Sequence, residues 1–360
     1  MINYIINKIF YGFLTLFGVI TVVFLLFTVL PGDPARMMLD QKEDPEQLAQ
    51  IRKNLGLDQP VWKQYLYYLN DLSPISIHDN QAKETTYTSL SSDKYDYQKI
   101  TDVGENTIVL KKTFLRNSFQ KQGKSVATII AETLPNTIVL AISAIIIATI
   151  IGVGLGITSA LMKDSWIDRA LLVITSFGMS IPSFFSAIII AYIFAFLLHE
   201  VTSLNMIGSL YEVDDLGEGK HLTLKNLILP AITLGSRPLA VFTQLTRNSL
   251  LEVLSQDYIR TAYAKGLSKK TVIFKHALRN ALNPVVTAIS GWFASMLAGA
   301  VFVEFIFGWN GLGKEIVNAL NTLDLPIVMG AVLVIAVMFI IINILIDIIY
   351  GILDPRVRIK

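Results

Sequence analysis

The chain has 360 residues, 53% hydrophobic and 16% charged, with a formal net charge of +2 and no cysteine. Soluble domains carry roughly 25% charged residues, so this composition excludes an ordinary soluble protein and points to membrane helices. The lack of cysteine excludes disulfides, thiolate metal sites and thiol nucleophiles, and with a total charge near zero only the placement of charge is informative.

In chain order, the first predicted element is an apolar run from Ile9 to Leu30, preceded by Lys8. A secretory leader has an apolar core of about 7–15 residues that ends in small residues. This run is longer and ends in Leu30-Pro31-Gly32-Asp33-Pro34, so it reads as a retained span, with Pro31 to Pro34 ending it and Asp33 capping the next helix. Residues 31–125 form a polar segment. A helical part is expected over Pro45 to Leu72, then an insert of low hydropathy near 73–115, with a small strand pair at Tyr95–Ile100 and Thr107–Leu115. Five more apolar runs follow, at 134–162, 169–198, 226–250, 284–307 and 327–352. The predicted fold class is an all-α polytopic membrane protein with six transmembrane helices. Its parts are an N-terminal helix (1–30), an extracytoplasmic segment between helices 1 and 2 (31–125) and a five-helix core (126–360).

Basic residues near span ends set the orientation. The loop Arg247 to Arg279 holds seven Lys/Arg against two acids, Glu252 and Asp257, and the tail DPRVRIK is basic. The loop after the second span carries Lys163 and Arg169. On the opposite side, 199–225 has five acids against two lysines, and 31–125 is balanced at thirteen of each. Both termini are therefore expected in the cytoplasm.

The spans are poor in the groups that ion-coupled carriers use. Asp347 and Glu304 lie near span ends, and His78, His199, His221 and His276 fall in loops. An ion-driven secondary transporter is thus a weaker alternative, as is a membrane-bound scaffold. Gly308 to Glu315 reads G-x4-G-K but ends in Glu where a P-loop needs Ser or Thr for Mg²⁺. It is expected to be a glycine-rich turn opening a short helix. Gly152, Gly154 and Gly156 inside the second span are expected to let helices approach closely. Nucleic acid is not an expected partner.

Between the fourth and fifth spans the pattern is helix, hinge, helix. Ser255-Gln256-Asp257 offers an N-cap to a helix over Tyr258 to Lys265, with Tyr258, Ile259, Ala262 and Tyr263 as its apolar stripe. Gly266 fits the left-handed position after the helix. Ser268 caps a second helix, Lys269 to about Leu282, and Pro284 precedes the fifth span. By charge alone this is either an interfacial helix pair on anionic lipid or a docking knob for a cytoplasmic partner.

The segment resembles the EAA loop of ABC-importer permeases, whose pattern is E-A-A-x3-G-x9-I-x-L-P. Arg260-Thr261-Ala262 stand for E-A-A, Gly266 is the glycine and Leu278 the leucine. His276 replaces the isoleucine and Arg279 the proline, departures typical of the peptide/nickel branch. That branch is matched elsewhere too: LPGDP (Leu30–Pro34), LGLDQP (Leu55–Pro60) with Gln64-Tyr65, Leu134-Pro135, Ser180-Ile181-Pro182-Ser183, LTRNSLLEVLSQDYIRTAYAKGL (Leu245–Leu267), GLG (Gly311–Gly313) and DPRVR (Asp354–Arg358). The chain resembles the first permease subunit of a dipeptide/oligopeptide importer over nearly its whole length, except about 73–115.

The resemblance implies the type I importer permease fold in a bacterial inner membrane, with no catalytic residue or cofactor of its own. ATP and Mg would be used by two cytoplasmic P-loop ATPase subunits. A second homologous permease and an extracytoplasmic substrate-binding protein complete the set of partners. The loop 255–282 would seat in an ATPase cleft through Tyr258, Arg260, Thr261, Ala262, Lys265, Gly266, Leu267, His276 and Leu278, with small Ala262 allowing close approach. Nickel or another small solute is the alternative cargo. Arg237, beside Pro238 in the fourth span, either lines the route and attracts a peptide carboxylate or pairs with an acid such as Glu132, Glu304 or one on the partner permease. The break at Ser180, Pro182 and Ser183 either shapes the route or relieves packing.

Overall fold

The computed structural model describes residues 2–29, 34–37, 44–79, 87–91, 94–121, 123–213 and 219–353. The expected cap at Asp33, most of LPGDP and the DPRVR tail lie outside the described residues, as does the side chain of Asp347. The described chain is mostly helical. In order, the elements are α1 (Ile2–Val29), α2 (Pro34–Met37), α3 (Pro45–Asn54), α4 (Val61–Leu72), β1 (Ile75–Asp79), β2 (Tyr97–Val103), β3 (Asn106–Lys111), α5 (Val126–Leu161), α6 (Trp166–Ser180), α7 (Ser183–Ile190) with a π-helical extension Ala191–Leu197, and α8 (His199–Thr202). Then come β4 (Tyr211–Val213), β5 (Lys220–Leu222), α9 (Ile228–Leu254), α10 (Asp257–Ala264), α11 (Lys269–Thr271), a π-helical stretch Val272–Ala277, α12 (Leu278–Ala281), α13 (Asn283–Gly299), α14 (Val301–Ile306), α15 (Leu312–Asn321) and α16 (Leu325–Leu353).

Among the described residues, three helices are long and apolar enough to cross a membrane, or up to five if each of two bent pairs is one span. The first bent pair, α6 and α7, turns by 112°. Ile181 takes the extended conformation (φ −79°, ψ 133°) that a following proline favours, and Pro182 then starts α7. The second bends by 50° where Pro284 opens α13. The expected fourth span falls on α9, which is not among these candidate spans, because Arg237, Arg247 and Glu252 dilute its apolar character. The second span starts earlier than expected, at Val126, and runs through Pro135.

The chain divides into two compact units. One comprises Phe10–Glu132 and Asn318–Ala336. Its sheet has the order β1-β3-β2, antiparallel throughout. β2 and β3 occupy the expected strand pair and are joined by a two-residue turn with Gly104 at φ 62°, the first central position where such hairpins take glycine. β1 was not expected. Its core is built from Val23 and Phe24 of α1, Tyr68 of α4, and Met329 and Leu333 of α16. Asp324 ties this unit together by accepting hydrogen bonds from Ser118 Oγ, from Phe119 N at 3.1 Å and from Gln120 N at 3.2 Å.

The other unit comprises residues 1–9, Thr133–Val317 and Val337–Lys360. Its core gathers Leu140, Ala144 and Ala148 of α5, Ala187 of α7, Leu234 and Phe242 of α9, Met296 of α13 and the buried Trp309. Of the three glycines in α5, two permit the approach to α9. A Cβ at Gly152 would stand 2.9 Å from the Leu239 carbonyl oxygen, and one at Gly156 would stand 2.6 Å from that of Thr243, whereas Gly154 faces open space. Overpacking a close helix contact costs about 1–3 kcal/mol. Gly156→Ile is therefore expected to lower the melting temperature of the purified chain and Gly154→Ile to leave it unchanged. Thermal unfolding followed by tryptophan fluorescence distinguishes the two.

Candidate functional site

The loop after α9 is a compact pair of helices. α10 starts from Gln256 in an extended conformation without a side-chain cap, because Ser255 Oγ turns back to the Glu252 carbonyl at 2.7 Å. The cap expected within Ser255-Gln256-Asp257 falls at Gln256, whose side chain makes no capping bond. α10 buries Ile259 and Ala262 and leaves Tyr258, Arg260, Thr261 and Tyr263 exposed. Ile259, Ala262, Val272, Ala277 and Ala281 form one cluster with Ala160 of α5 and Leu250 of α9. Ala262, expected to approach a partner, packs instead into the chain's own core, since its small side chain fits beneath the helix.

The end of α10 is closed by a pair of backbone hydrogen bonds. Gly266 N donates to the Tyr263 carbonyl at 2.9 Å and Leu267 N to that of Ala262 at 3.3 Å. This is the Schellman closure, and it requires a left-handed residue at Gly266, where φ is 78°. Ser268 Oγ then caps the second helix by accepting from Thr271 N at 3.3 Å. Asn280 Nδ2 donates to Tyr258 Oη at 2.9 Å and ties the two helices. His276 and Leu278 are half-buried. The outer face carries Tyr258, Tyr263, Leu267 and Phe274 among Arg260, Lys265, Lys269, Lys270 and Lys275, all exposed. The Arg260–Asp257 pair, 3.4 Å apart with side chains 76% and 95% exposed, contributes little.

Just before this loop lies an ion pair that sequence reasoning missed. Arg247 of α9 donates from Nε to Asp168 Oδ1 at 2.7 Å and from Nη2 to Oδ2 at 2.7 Å. Asp168 also accepts from Ser159 Oγ and from Asp164 N at 3.0 Å, and its side chain is 2% exposed. The available signal was Ser165-x-x-Asp168, a capping pattern at the start of α6, where Ser165 Oγ accepts from Asp168 N at 3.2 Å. The pair fixes the α5–α6 turn to the last turns of α9.

α6 and α9 meet close in sequence to the candidate pathway residues. Ser176 Oγ accepts from Gln244 Nε2 at 3.1 Å, and a Cβ at Gly178 would stand 3.9 Å from the Ser236 carbonyl oxygen. Arg237 is the next residue, exposed and without a hydrogen-bond or ion-pair partner among the described residues. Of the two acids considered for it, Glu132 pairs with Lys124 at 2.6 Å and Glu304 accepts from Gly313 N at 2.7 Å. Ser180 Oγ donates to the Ser176 carbonyl at 3.0 Å. Pro182 is exposed at the break, and Ser183 is half-buried.

The glycine-rich turn is structural. Glu304 Oε2 sits at the start of α15, taking the backbone N–H groups of Gly313 and Lys314. Lys314 Nζ folds back onto the Gly308 carbonyl at 3.1 Å and Asn310 Oδ1 at 2.8 Å. A carboxylate of the chain itself thus occupies the position a phosphate would need. Trp309 Nε1 donates to the Asn136 carbonyl at 3.0 Å and Leu312 N to Thr137 Oγ1 at 2.8 Å, which ties α5 just after Leu134-Pro135 to the GLG turn.

Residues 152–359 match the family model described as binding-protein-dependent transport system inner membrane component, and residues 1–110 match the model of the N-terminal part of such membrane components. The dipeptide transport system permease protein DppB of Alkalihalophilus pseudofirmus is 34% identical, with 95% of each chain covered. DppB of Escherichia coli K12 is 32% identical and the glutathione transport system permease protein GsiC of Escherichia coli O6:H1 is 31% identical, each with 100% of both chains covered. A solved methionine ABC transporter, MetNI, in an inward-facing conformation aligns with a TM-score of 0.49 at 15% identity, over 63% of this chain and 97% of that one.

Asp168→Asn removes the counter-charge of the half-buried Arg247; breaking a fully buried pair costs about 3–5 kcal/mol, which is an upper bound here. The expected outcome is a marked drop in melting temperature, partly recovered in the double variant Asp168→Leu/Arg247→Leu. A double variant no more stable than the single one argues against the pair.

Proposed function

Because the chain belongs to the family of binding-protein-dependent transport system inner membrane components, we propose that it is the first permease subunit, of the DppB/OppB type, of an ATP-driven ABC importer for short peptides. The printed activities of its relatives, dipeptide, di/tripeptide and glutathione transport, support the cargo class. In this reading six spans of the type I importer fold cross the bacterial inner membrane with both termini cytoplasmic, and residues 31–125 lie outside. A second homologous permease completes the pathway, an extracytoplasmic binding protein delivers the cargo, and two separate ATPase subunits hydrolyse ATP.

The observation that carries the mechanism is the α10 loop. A coupling element has to be rigid, seated on the helices it moves, and open on its far face. α10 meets all three requirements: a Schellman closure at Gly266, an apolar seat on Ala160 and Leu250, and an exposed face of aromatic and basic residues. Tyr258, Arg260, Thr261, Lys265 and Leu267 supply the face that docks in the ATPase cleft, while Ala262 and Gly266 shape the helix pair and His276 and Leu278 brace it. ATP-driven closure of the ATPase dimer pushes α10, and α9 carries the displacement into the spans.

Arg237 fits the transport route. An arginine facing lipid near a span centre costs about 2.5–3.5 kcal/mol on insertion scales, so an unpaired one belongs beside water, cargo or the partner permease. The 112° break at Ser180, Pro182 and Ser183 interrupts the helix that brings Gly178 near Ser236, the residue before Arg237.

Proline cannot adopt φ 78°, so Gly266→Pro breaks the closure of α10. The variant is expected to insert in the membrane in normal amount and to lose uptake of radiolabelled dipeptide, with wild-type uptake abolished by ATP depletion and surviving an uncoupler. Retained uptake in the variant contradicts the coupling role. Uptake that collapses with the uncoupler alone contradicts the importer, and uptake of nickel in place of dipeptide corrects the cargo.

A further inference from the structure

In the unit comprising Phe10–Glu132 and Asn318–Ala336, one buried carboxylate, Asp71, gathers several cations and phenols among the described residues. Asp71, 1% exposed, accepts hydrogen bonds from Tyr87 Oη, from Tyr95 Oη at 3.0 Å and from Arg116 Nε at 3.1 Å. Lys111 Nζ donates to the Asp71 carbonyl oxygen at 2.5 Å. Lys94 Nζ donates to the Tyr87 carbonyl at 3.1 Å and stands 3.9 Å from the Tyr87 ring centroid. The Arg116 guanidinium lies 5.1 Å from the Tyr68 ring and 5.5 Å from the Tyr87 ring. Three cations therefore share one carboxylate among the described residues of the cluster. The phenols do not supply the missing negative charge, because burial raises the pKa of Tyr68, Tyr87 and Tyr95. Burial, with Arg116 and Lys111 adding to it against the pull of Asp71, draws Lys94 down to about 8.

A pocket of about 260 Å³ opens beside this cluster. Among the described residues, its lining includes Lys94 and Arg116, the amides of Asn54 and Asn117, and the rings of Phe114 and Phe119, with no carboxylate. Leu55 and Leu57 of the LGLDQP stretch complete the wall, held by Gly56, where a Cβ would stand 3.1 Å from Tyr87. Ligand pockets span roughly 300–1,000 Å³, so this one suits a small ligand. Two partly desolvated cations attract an anion, the Asn117 amide donates to it, and the aromatic wall receives an apolar group. We propose that this pocket binds a small carboxylate bearing an apolar group, as at the C-terminal residue of a short peptide. The peptide identity rests on the proposed function, whereas the carboxylate chemistry rests on the pocket alone.

The test is calorimetric titration of the full chain, in nanodiscs of phosphatidylcholine, with alanylphenylalanine, its C-terminal amide and inorganic phosphate. The dipeptide is expected to bind at least tenfold more tightly than the amide and than phosphate. Asn54→Asp places a fixed negative charge in the pocket without removing a cluster residue. It is expected to weaken dipeptide binding at least tenfold at unchanged melting temperature, and Lys94→Met is expected to weaken binding by a similar factor. Equal affinity for dipeptide and amide, equal affinity for phosphate, or unchanged binding in Asn54→Asp overturns the proposal. Uptake by the assembled importer is read separately. A dipeptide site that behaves as expected on an importer that carries no peptide supports the carboxylate pocket and overturns only the proposed cargo.

Discussion

A helix that stops short of water leaves its last carbonyl groups without partners, and how this chain meets that constraint shapes each segment with a distinctive sequence. At Gly56 the bonds run from Gly56 N to the Lys53 carbonyl and from Leu57 N to that of Arg52; at Gly266 the same pair closes α10. The two stretches LGL and KGL, far apart and in different units, are thus one device: a left-handed glycine followed by a leucine. Leu323 fills the same position with φ 52°, Asp324 N reaching back to the Ala319 carbonyl at 2.8 Å. A left-handed leucine costs roughly 1–2 kcal/mol. It is held there because the next residue, Asp324, is the acceptor that binds Ser118, Phe119 and Gln120.

This explains what was legible in the sequence. The apolar helices were, because about 20 residues without charge have few other solutions. The helix–hinge–helix of the α10 loop was, because Gly266 and Ser268 act locally, through their own backbone and hydroxyl. The β2–β3 hairpin was, through its glycine turn. β1 was not, and the reason is physical: its apolar side chains face out and its polar ones face in. Ile75 and Ile77 are exposed while Ser76 and His78 are buried, bonded to each other at 3.0 Å, with His78 against the Tyr95 ring. A strand lining a polar interior inverts the pattern that hydropathy reads.

The charged residues divide in the same way. Their number could be read from the chain, but their partners could not. Arg247 looked like one more basic residue of a cytoplasmic loop. Its partner, Asp168, is 79 positions away, and only the packing of α6 on α9 brings them to 2.7 Å. Glu304 looked like a span-end acid and proves to cap α15 from a helix that Gly311 and Gly313 allow to come close. Arg237 is the reverse case: its cost in a span was plain from sequence, and the structure adds that neither acid first considered for it is available.

The placement of Asp168–Arg247 bears on how a push on α10 can travel. A short helix on a free hinge would dissipate displacement by bending at its base. Here the base is fixed twice within about one turn of α9: Leu250 packs with Ile259 and Ala262 of α10 and with Ala160 of α5, and Arg247 is locked to the α5–α6 turn. Load entering α10 therefore reaches α5, α6 and α9 together, and bending α9 alone would strip a buried charge of its partner. On the far side of the hinge, the path to α13 holds the 50° bend at Pro284 and the π-helical stretch Val272–Ala277. Such wide turns are common where helices must yield. In the proposed mechanism, compliance lies between α10 and α13, and stiffness lies between α10 and the helices that carry Arg237 and the break at Pro182.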